Sequence, residues 1–456
     1  MADVLLIYPS HRRVLAGRTY SPLGLVYIAS MLEREEFSVR ILDLEVEELT
    51  PEELASVLAN EAPSIIGINT LTTALPEVFR LVNFFREHSN AIIVVGGSHV
   101  TCEPSVVSDL NVEYGIRGEG EYSFLKLCKF LLRGVGSLES IEGLVANNGG
   151  VVKAENPTFV DDLNALPLPD RSLVKTRDYM FNTVLTSRGC PFNCIFCADV
   201  STKPRSRSPE SVVVELKQMA RDGGLRQVEF ADSVFTLDKD RVMRLCELIR
   251  GSGLKLRWSC LTRCDLVDEE LLNAMKAAGC YLIFFGVESG VQEVRYRIGK
   301  NISDNMVRYA FDICHDVGIK TGVSAMFGHP NETLDDMRKT IDFACSLNAT
   351  YGIFSVSELM PGTRLFEIAQ EEGFANRNLW RDYMLGRVPN LYYTPKGVSF
   401  KQVMDVVVEA HRRFYCNLPY VVKRIGGVSS KIELDETIDV IKHYCIDRLS
   451  ARNREA

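Results

Sequence analysis

No apolar run in the 456-residue sequence approaches the roughly 20 residues that a membrane-spanning helix needs. The opening stretch MADVLLIYPSHRR carries only about five consecutive apolar residues, too few for a secretory signal core, so a cytoplasmic chain is expected. Basic charge is in deficit: 52 Lys and Arg face 60 Asp and Glu, a net charge of -8. That balance argues against nucleic acid as the main partner. No short-period repeat and no low-complexity segment occurs. Cysteine, by contrast, is plentiful, at 13 residues. An odd number in a cytosolic chain does not suggest a disulfide framework. With 46% apolar residues over this length, two or three domains can each bury a core.

The first 150 residues alternate between short β-branched runs (VLLIYP, VRILDL, IIGINTL, AIIVVGG) and amphipathic segments such as GLVYIASMLERE and PEVFRLVNFFREH. This pattern predicts an α/β fold with a doubly wound parallel sheet that binds ligands at the carboxyl ends of its strands. The loops at those ends are PSHRR, NTLTTA, GGSHVT and RGEGEY. Residues 151–182 contain three prolines and little periodicity, and read as a linker. A second alternating series follows over 183–365, with strands in TVLTSRG, QVEFADS, LRWSCLTR, YLIFFGVES, KTGVSAMFG and YGIFSVSELMP. Six βα units predict a partial (β/α)6 barrel with its site at the strands' carboxyl ends. SPES starts one of its helices with an N-cap serine and a first-turn proline. Residues 366–456 turn helical and charged.

The stretch TSRGCPFNCIFCAD places Cys190, Cys194 and Cys197 in C-x3-C-x2-C spacing. A chance match at this cysteine frequency is expected on the order of 0.01 times. Most of the other cysteines (Cys128, Cys246, Cys314, Cys345) fall in apolar helical patterns and read as small core residues. Three thiols suit a structural zinc site in need of a fourth ligand. In this context, a loop after the first barrel strand, they better suit a 4Fe–4S cluster with one iron free of protein, open to a substrate.

This motif after a first barrel strand, with aromatic Phe196 before the last cysteine, resembles the radical S-adenosylmethionine superfamily. The resemblance continues in order through FADSVFTLDKDR, WSCLTRCDLVDEELLNAMKAAGC, FFGVESG, SAMFGHPNET and SELMPGTRLFE. It implies that the open iron takes S-adenosylmethionine, whose reductive cleavage yields a 5′-deoxyadenosyl radical. By position, it assigns Arg263 and Glu288 to the carboxylate and the ribose or amino group of S-adenosylmethionine. Ser324, Met326 and the Gly328 turn would frame the adenine, beside Phe196. One departure is EFADS at the second strand's end, where a glycine-rich segment is usual.

YSPLGLVYIASMLE, GGSHVTCEP and GIRGEGEYSFLKL resemble the Rossmann-like cobalamin-binding domain fused to one large group of these enzymes. DDLNALPLPDRSLV and EAHRRFYCNLPYVVKRI resemble that group's linker and carboxyl-terminal helix. The cobalamin contacts so implied are Ser21, Leu23, Thr70, Leu71, Thr72, Gly96, Gly97, Ser98, His99, Val100, Gly118, Glu119, Gly120 and Glu121. No D-x-H-x-x-G motif, which would ligate cobalt from below, occurs among the 7 histidines. Base-off cobalamin is therefore expected, with His11 and His99 as hydrogen-bonding or surface residues, and a side chain at Gly97 is expected to fill cofactor space. The resemblance implies a radical C-methyltransferase that acts on an unactivated carbon through methylcobalamin, fed by a low-potential reductant such as ferredoxin or flavodoxin. Cyclisation, ring rearrangement or oxidation would use the same cofactors, and a non-enzymatic carrier would leave a complete barrel superfluous. A methylthiotransferase would need a second cluster, and only Cys102 and Cys128 precede Cys190. The catalytic residues are unknown at this level. Nothing separates a small molecule, lipid, tetrapyrrole or peptide as substrate.

Overall fold

A computed structural model describes residues 2–10, 20–148, 151–174, 179, 182–198, 202–222, 225, 227–416 and 420. His11 and most of the carboxyl-terminal stretch beyond 416 lie outside the described residues. The chain divides into two units, 1–181 with 360–391, and 182–359 with 392–456. Residues 366–391, read from the sequence with the carboxyl-terminal helical region, thus group with the first unit.

The first unit holds β1 (Val4–Tyr8), β2 (Val39–Asp43), β3 (Ile65–Asn69), β4 (Ile92–Gly96) and β5 (Tyr114–Ile116), all parallel. An antiparallel edge of β6 (Leu144–Asn148) and β7 (Val151–Ala154) completes the sheet, in the order β2-β1-β3-β4-β5-β6-β7. Val4, Leu5, Leu6 and Ile7 are buried in succession, as a strand covered on both faces requires. The order reverses at β1, so the crevice of this sheet opens at the carboxyl ends of β1 and β3. The helix that follows β2, Pro51–Glu61, starts from a capping box in which Thr50 and Glu53 satisfy each other's backbone amides. The doubly wound sheet is as expected, but Val151–Ala154 is an edge strand rather than the start of a linker.

The second unit begins with β8 (Asn182–Val184), then the short antiparallel pair β9 (Ser187–Arg188) and β10 (Arg205–Ser206) on either side of the three-cysteine loop. β11 (Val228–Phe230), β12 (Trp258–Thr262), β13 (Cys280–Glu288), β14 (Lys320–Phe327) and β15 (Tyr351–Val356) follow. With β8 they form a six-stranded parallel sheet in sequential order. Every strand expected of the second series is present. The helix at Pro209 begins as expected, with Ser208 capping the Ser211 amide.

Strand alternation sorts the faces. Val184, Phe230, Trp258, Cys260, Ile283, Phe285, Val323, Phe327 and Phe354 join the helices in one apolar core. Thr183, Glu229, Ser259, Phe284, Glu288, Ser324 and Met326 alternate with them and so take the opposite face. Cys246 and Cys314 are core residues as expected, and Cys128 is buried in the first unit. Cys345 is not: it is exposed, because it falls one position past the Met337–Ile341–Ala344 stripe of its helix.

Glu229 marks a pH dependence. Burial pushes its carboxyl up to about 7, and one of its oxygens is buried without a hydrogen bond. A carboxyl with a raised folded pKa binds its proton more tightly folded than unfolded. Stability is therefore greatest below about pH 4.5 and falls as pH rises to about 7. Glu332, raised to about 7, acts in the same window, and Asp43, raised from 3.8 to about 6, in a lower one, burial being the main cause in each. Glu229→Gln, which cannot ionise, is expected to flatten this slope and to relieve on the order of 3 kcal/mol at pH 8. Thermal melts of both proteins at pH 5 and pH 8 check this, and equal slopes would contradict it.

Candidate functional site

The three-cysteine loop leaves β9 and is held at its root by a buried carboxylate. Asp232, at the end of β11, accepts from the Thr186 amide (2.7 Å), the Thr186 hydroxyl (2.5 Å) and the Ser187 hydroxyl (2.6 Å). Arg241 stands 3.7 Å away and balances the charge. The EFADS departure from the glycine-rich pattern therefore supplies the anchor of the loop. The Cys190 amide donates to Thr202 Oγ1 at 3.0 Å, and the Ile195 amide to the Ile298 carbonyl at 3.0 Å. Cys194 Sγ lies 4.0 Å from the Gly299 carbonyl.

The 298–300 segment thus receives the loop and leads into a charged cluster. Lys300 Nζ pairs with Glu288 Oε1 at 3.1 Å, both side chains nearly buried. Burial, the largest influence on Lys300, lowers its pKa, but Glu288 and Cys194 together outweigh it and raise the ammonium's pKa. Burial raises the Cys194 thiol, while Lys300 and Arg263 pull it down and Glu288 and Cys190 push it up. Arg263 forms a fork with Asp265, 2.9 Å on both arms, donates to the Lys300 carbonyl at 2.8 Å, and stacks on Phe192. Its Nη1 is buried without a partner, a donor suited to a carboxylate.

Glu288 has a left-handed backbone, φ 67°, at a register shift between β13 and β14. Bulges re-aim side chains in this way, and such strain in a non-glycine residue concentrates at functional sites. Gly286 makes room for the pair: a Cβ there would meet Glu288 Oε1 at 2.5 Å and Lys300 Nζ at 2.7 Å. Ser324 pairs in register with Gly286, and Met326 follows on the same face. Arg263, Glu288 and the cluster loop are brought together, with Phe196 reaching the end of β14 through His329, at 6.0 Å between ring centroids. Lys300, Asp232 and His329 were not singled out from the sequence.

Among the described residues, no group of three His, Cys, Asp or Glu side chains is gathered as a metal-binding set. The donor chemistry nevertheless fits an iron–sulfur cluster: three cysteines share one loop, with a lysine and an arginine beside the middle one.

In the first unit, the loops after β3 and β4 are knitted together. The Thr70 amide donates to the Gly96 carbonyl at 2.6 Å, the His99 amide to the Thr70 carbonyl at 3.2 Å, and Thr72 Oγ1 meets His99 Nδ1 at 3.1 Å. His99 is fully buried, its ring packs edge-on against Trp380, and burial holds its pKa at about 3. Val100 is also core. Glu119 is engaged by the Val160 amide at 2.7 Å, and the Gly118 amide donates to Thr101 Oγ1 at 2.9 Å. Ser21 Oγ and His99 Nε2 are buried without partners, orphan groups that an amide-rich ligand such as cobalamin could satisfy. A cavity of about 640 Å3 opens at the ends of β1–β3, lined by Ser10, Leu49, Pro51, Thr73, Pro76 and Arg80 among others. Leu49, Pro51 and Arg80 were not among the residues picked out from the sequence.

Gly97 needs a different explanation from the one its sequence suggests. Its φ is 111°, and a Cβ would meet Asn69 Oδ1 at 2.5 Å and the Thr70 carbonyl at 3.0 Å. The protein itself, not cofactor, fills that space. Gly97→Val is thus expected to destabilise the fold by roughly 2–4 kcal/mol, measured as a lowered melting temperature of cofactor-free protein. An unchanged melt would contradict this.

The "Radical SAM superfamily" family model matches residues 184–344, and the "B12 binding domain" model matches residues 13–127. The chain is similar to an uncharacterized methyltransferase, PH0819, of Pyrococcus horikoshii, 32% identical over 92% of this chain and 94% of that protein. It is also similar to the anaerobic magnesium-protoporphyrin IX monomethyl ester cyclase of Rubrivivax gelatinosus, 23% identical over 92% of this chain and 78% of that protein. Among solved structures it resembles the radical S-adenosylmethionine methyltransferase TsrM from Kitasatospora setae with cobalamin and a [4Fe-4S] cluster bound. The TM-score is 0.77 at 20% identity, over 97% of this chain and 99% of that one.

Proposed function

Because the chain belongs to the cobalamin-dependent radical S-adenosylmethionine methyltransferase family, we propose that it methylates an unactivated carbon of its substrate. It is an enzyme whose cofactors are a 4Fe–4S cluster, S-adenosylmethionine and cobalamin. When bound, the cluster supplies the electron that cleaves the sulfonium, and cobalamin carries the methyl group.

The observation that carries the reading is the meeting of Cys194 with Lys300, Glu288 and Arg263. In it, Cys190, Cys194 and Cys197 are the thiolate ligands. Arg263 Nη1 receives the carboxylate of S-adenosylmethionine, and the Glu288–Lys300 pair takes its amino or ribose groups. Ser324, Met326 and the Gly328 turn border the adenine beside Phe196. Cobalamin is bound base-off by the segments at residues 21–23, 70–72, 96–100 and 118–121. His99, buried and already paired with Thr72, serves as a structural hydrogen-bonding residue there.

A ferredoxin or flavodoxin supplies electrons in the cytoplasm. Among the described residues no helix is long and apolar enough to cross a membrane. The likeness to the cyclase over 92% of this chain favours a second reading, ring formation or oxidation with the same cofactors. The two are separated by incubating reconstituted enzyme, cobalamin, reductant and methyl-labelled S-adenosylmethionine with host extract. Label in a carbon-bound methyl group supports methylation; deoxyadenosine release with an unlabelled, altered product supports the second reading.

A further inference from the structure

The helix Gln292–Arg297 ends against the three-cysteine loop. The Ile195 amide donates to the Ile298 carbonyl at 3.0 Å. Gly299 has a left-handed φ of 76°, and a Cβ there would meet the Asn193 carbonyl at 2.8 Å, so the two backbones touch with no side chain between them. Tyr296 stands on this turn 46% exposed, and Arg297, Pro191 and Asn193 are exposed beside it. Inward from Tyr296 the path is short. Its carbonyl accepts from the Gly299 amide at 3.1 Å, and the Gly299 carbonyl lies 4.0 Å from Cys194 Sγ. One hydrogen bond and one close contact therefore join an exposed aromatic residue to the middle cysteine of the loop.

The charge around the loop differs in sign from the chain's net charge of -8. Arg297 spends one arm on a neutral group, the Asn331 carbonyl, at 3.4 Å. On the loop's other flank Lys203 is exposed. Its backbone packs on Gly189, where a Cβ would meet the Lys203 carbonyl at 2.6 Å. Nearby carboxylates are engaged elsewhere: Asp304 with Arg295, Asp265 with Arg263, and Glu293 beside Lys339.

We propose that Tyr296, Arg297 and Lys203 form the docking surface for an acidic, flavin-bearing one-electron carrier, a flavodoxin. This rests on the reading of Cys190, Cys194 and Cys197 as cluster ligands. The two cations draw in an acidic face that the rest of the chain repels, and the Tyr296 ring offers an apolar surface to the flavin's edge. The reduced flavin loses one electron and the oxidised cluster gains it; no bond forms or breaks.

The test uses full-length, anaerobically reconstituted holoprotein with oxidised flavodoxin as the probe, its affinity read by calorimetric titration. The double variant Lys203→Glu, Arg297→Glu is expected to bind about tenfold more weakly at low salt and to lose most of the salt dependence. Tyr296→Ala is expected to cost about fivefold. Deoxyadenosine formation driven by limiting reduced flavodoxin should fall by similar factors. Formation driven by dithionite, which needs no docking, should stay at the wild-type level, as should iron content. Unchanged flavodoxin affinity in the double variant overturns the proposal, as does a wild type that binds ferredoxin but not flavodoxin. An equal fall in dithionite-driven cleavage would mean damage to the loop and also overturn it. A wild type that binds flavodoxin, loses it on charge reversal, yet forms no deoxyadenosine with dithionite would strike the cluster reading and leave the surface standing.

Discussion

Cys194→Ala is expected to reduce reductive cleavage of S-adenosylmethionine to the level of a protein-free control, and Cys190→Ala and Cys197→Ala to do the same. On the proposed assignment each thiolate would fix one iron, and the open fourth iron would exist only while three are held. Cys194 has the most structure invested in it, since its sulfur faces the Gly299 carbonyl and its thiol feels Lys300, Arg263 and Glu288. Cys260 and Cys264 provide the control. Both are buried, and burial raises their thiols, that of Cys264 to about 12. Both belong to the apolar core rather than to the three-cysteine loop, and alanine at either position should leave the cluster's spectrum intact. The measurement is deoxyadenosine formed on addition of dithionite, with iron content taken in parallel. Full cleavage by Cys194→Ala would remove the cluster assignment.

Omitting cobalamin should have an equally large but different effect. Methyl transfer is expected to vanish, whereas deoxyadenosine release continues, because the cysteine loop and the Arg263–Glu288–Lys300 cluster belong to one unit and the cobalamin segments to the other. The bound cofactor should show a base-off spectrum. His99 cannot swing to a metal without giving up Thr72 and leaving the core, so His99→Ala should shift that spectrum little. A protein that methylates without cobalamin would end the reading of cobalamin as the methyl carrier. A spectrum converted by His99→Ala would reveal a histidine ligand.

The parallel strands were legible because buried β-branched runs such as IIGIN and CYLIFFGVE have few alternatives. The cysteine loop was legible by its spacing alone. The antiparallel edge was missed although Asn147–Asn148 and the two glycines that follow are a hairpin signal; β6 and β7 are too short for their periodicity to register. The partners of the site were hidden for another reason. Lys300 reaches Glu288 across 12 residues, His329 reaches Ser357 across 28, and Asp232 reaches Thr186 across 46. No local pattern encodes pairings set by where strand ends meet. Gly97 shows the opposite error: its neighbours suggested ligand space, but the approach of Asn69, at the end of β3, is what excludes a side chain.

On the proposed function, one chain joins methyl transfer to radical cleavage on the same substrate. Two molecules of S-adenosylmethionine are then consumed per methylated product, one leaving as S-adenosylhomocysteine and one as deoxyadenosine. The most direct measurement is to quantify both coproducts with methyl-deuterated S-adenosylmethionine once an acceptor is found. Equal amounts of each are expected, with a trideuteromethyl group on carbon in the product and one substrate hydrogen in the deoxyadenosine. Product that forms with deoxyadenosine alone and without a deuterated methyl group would contradict it.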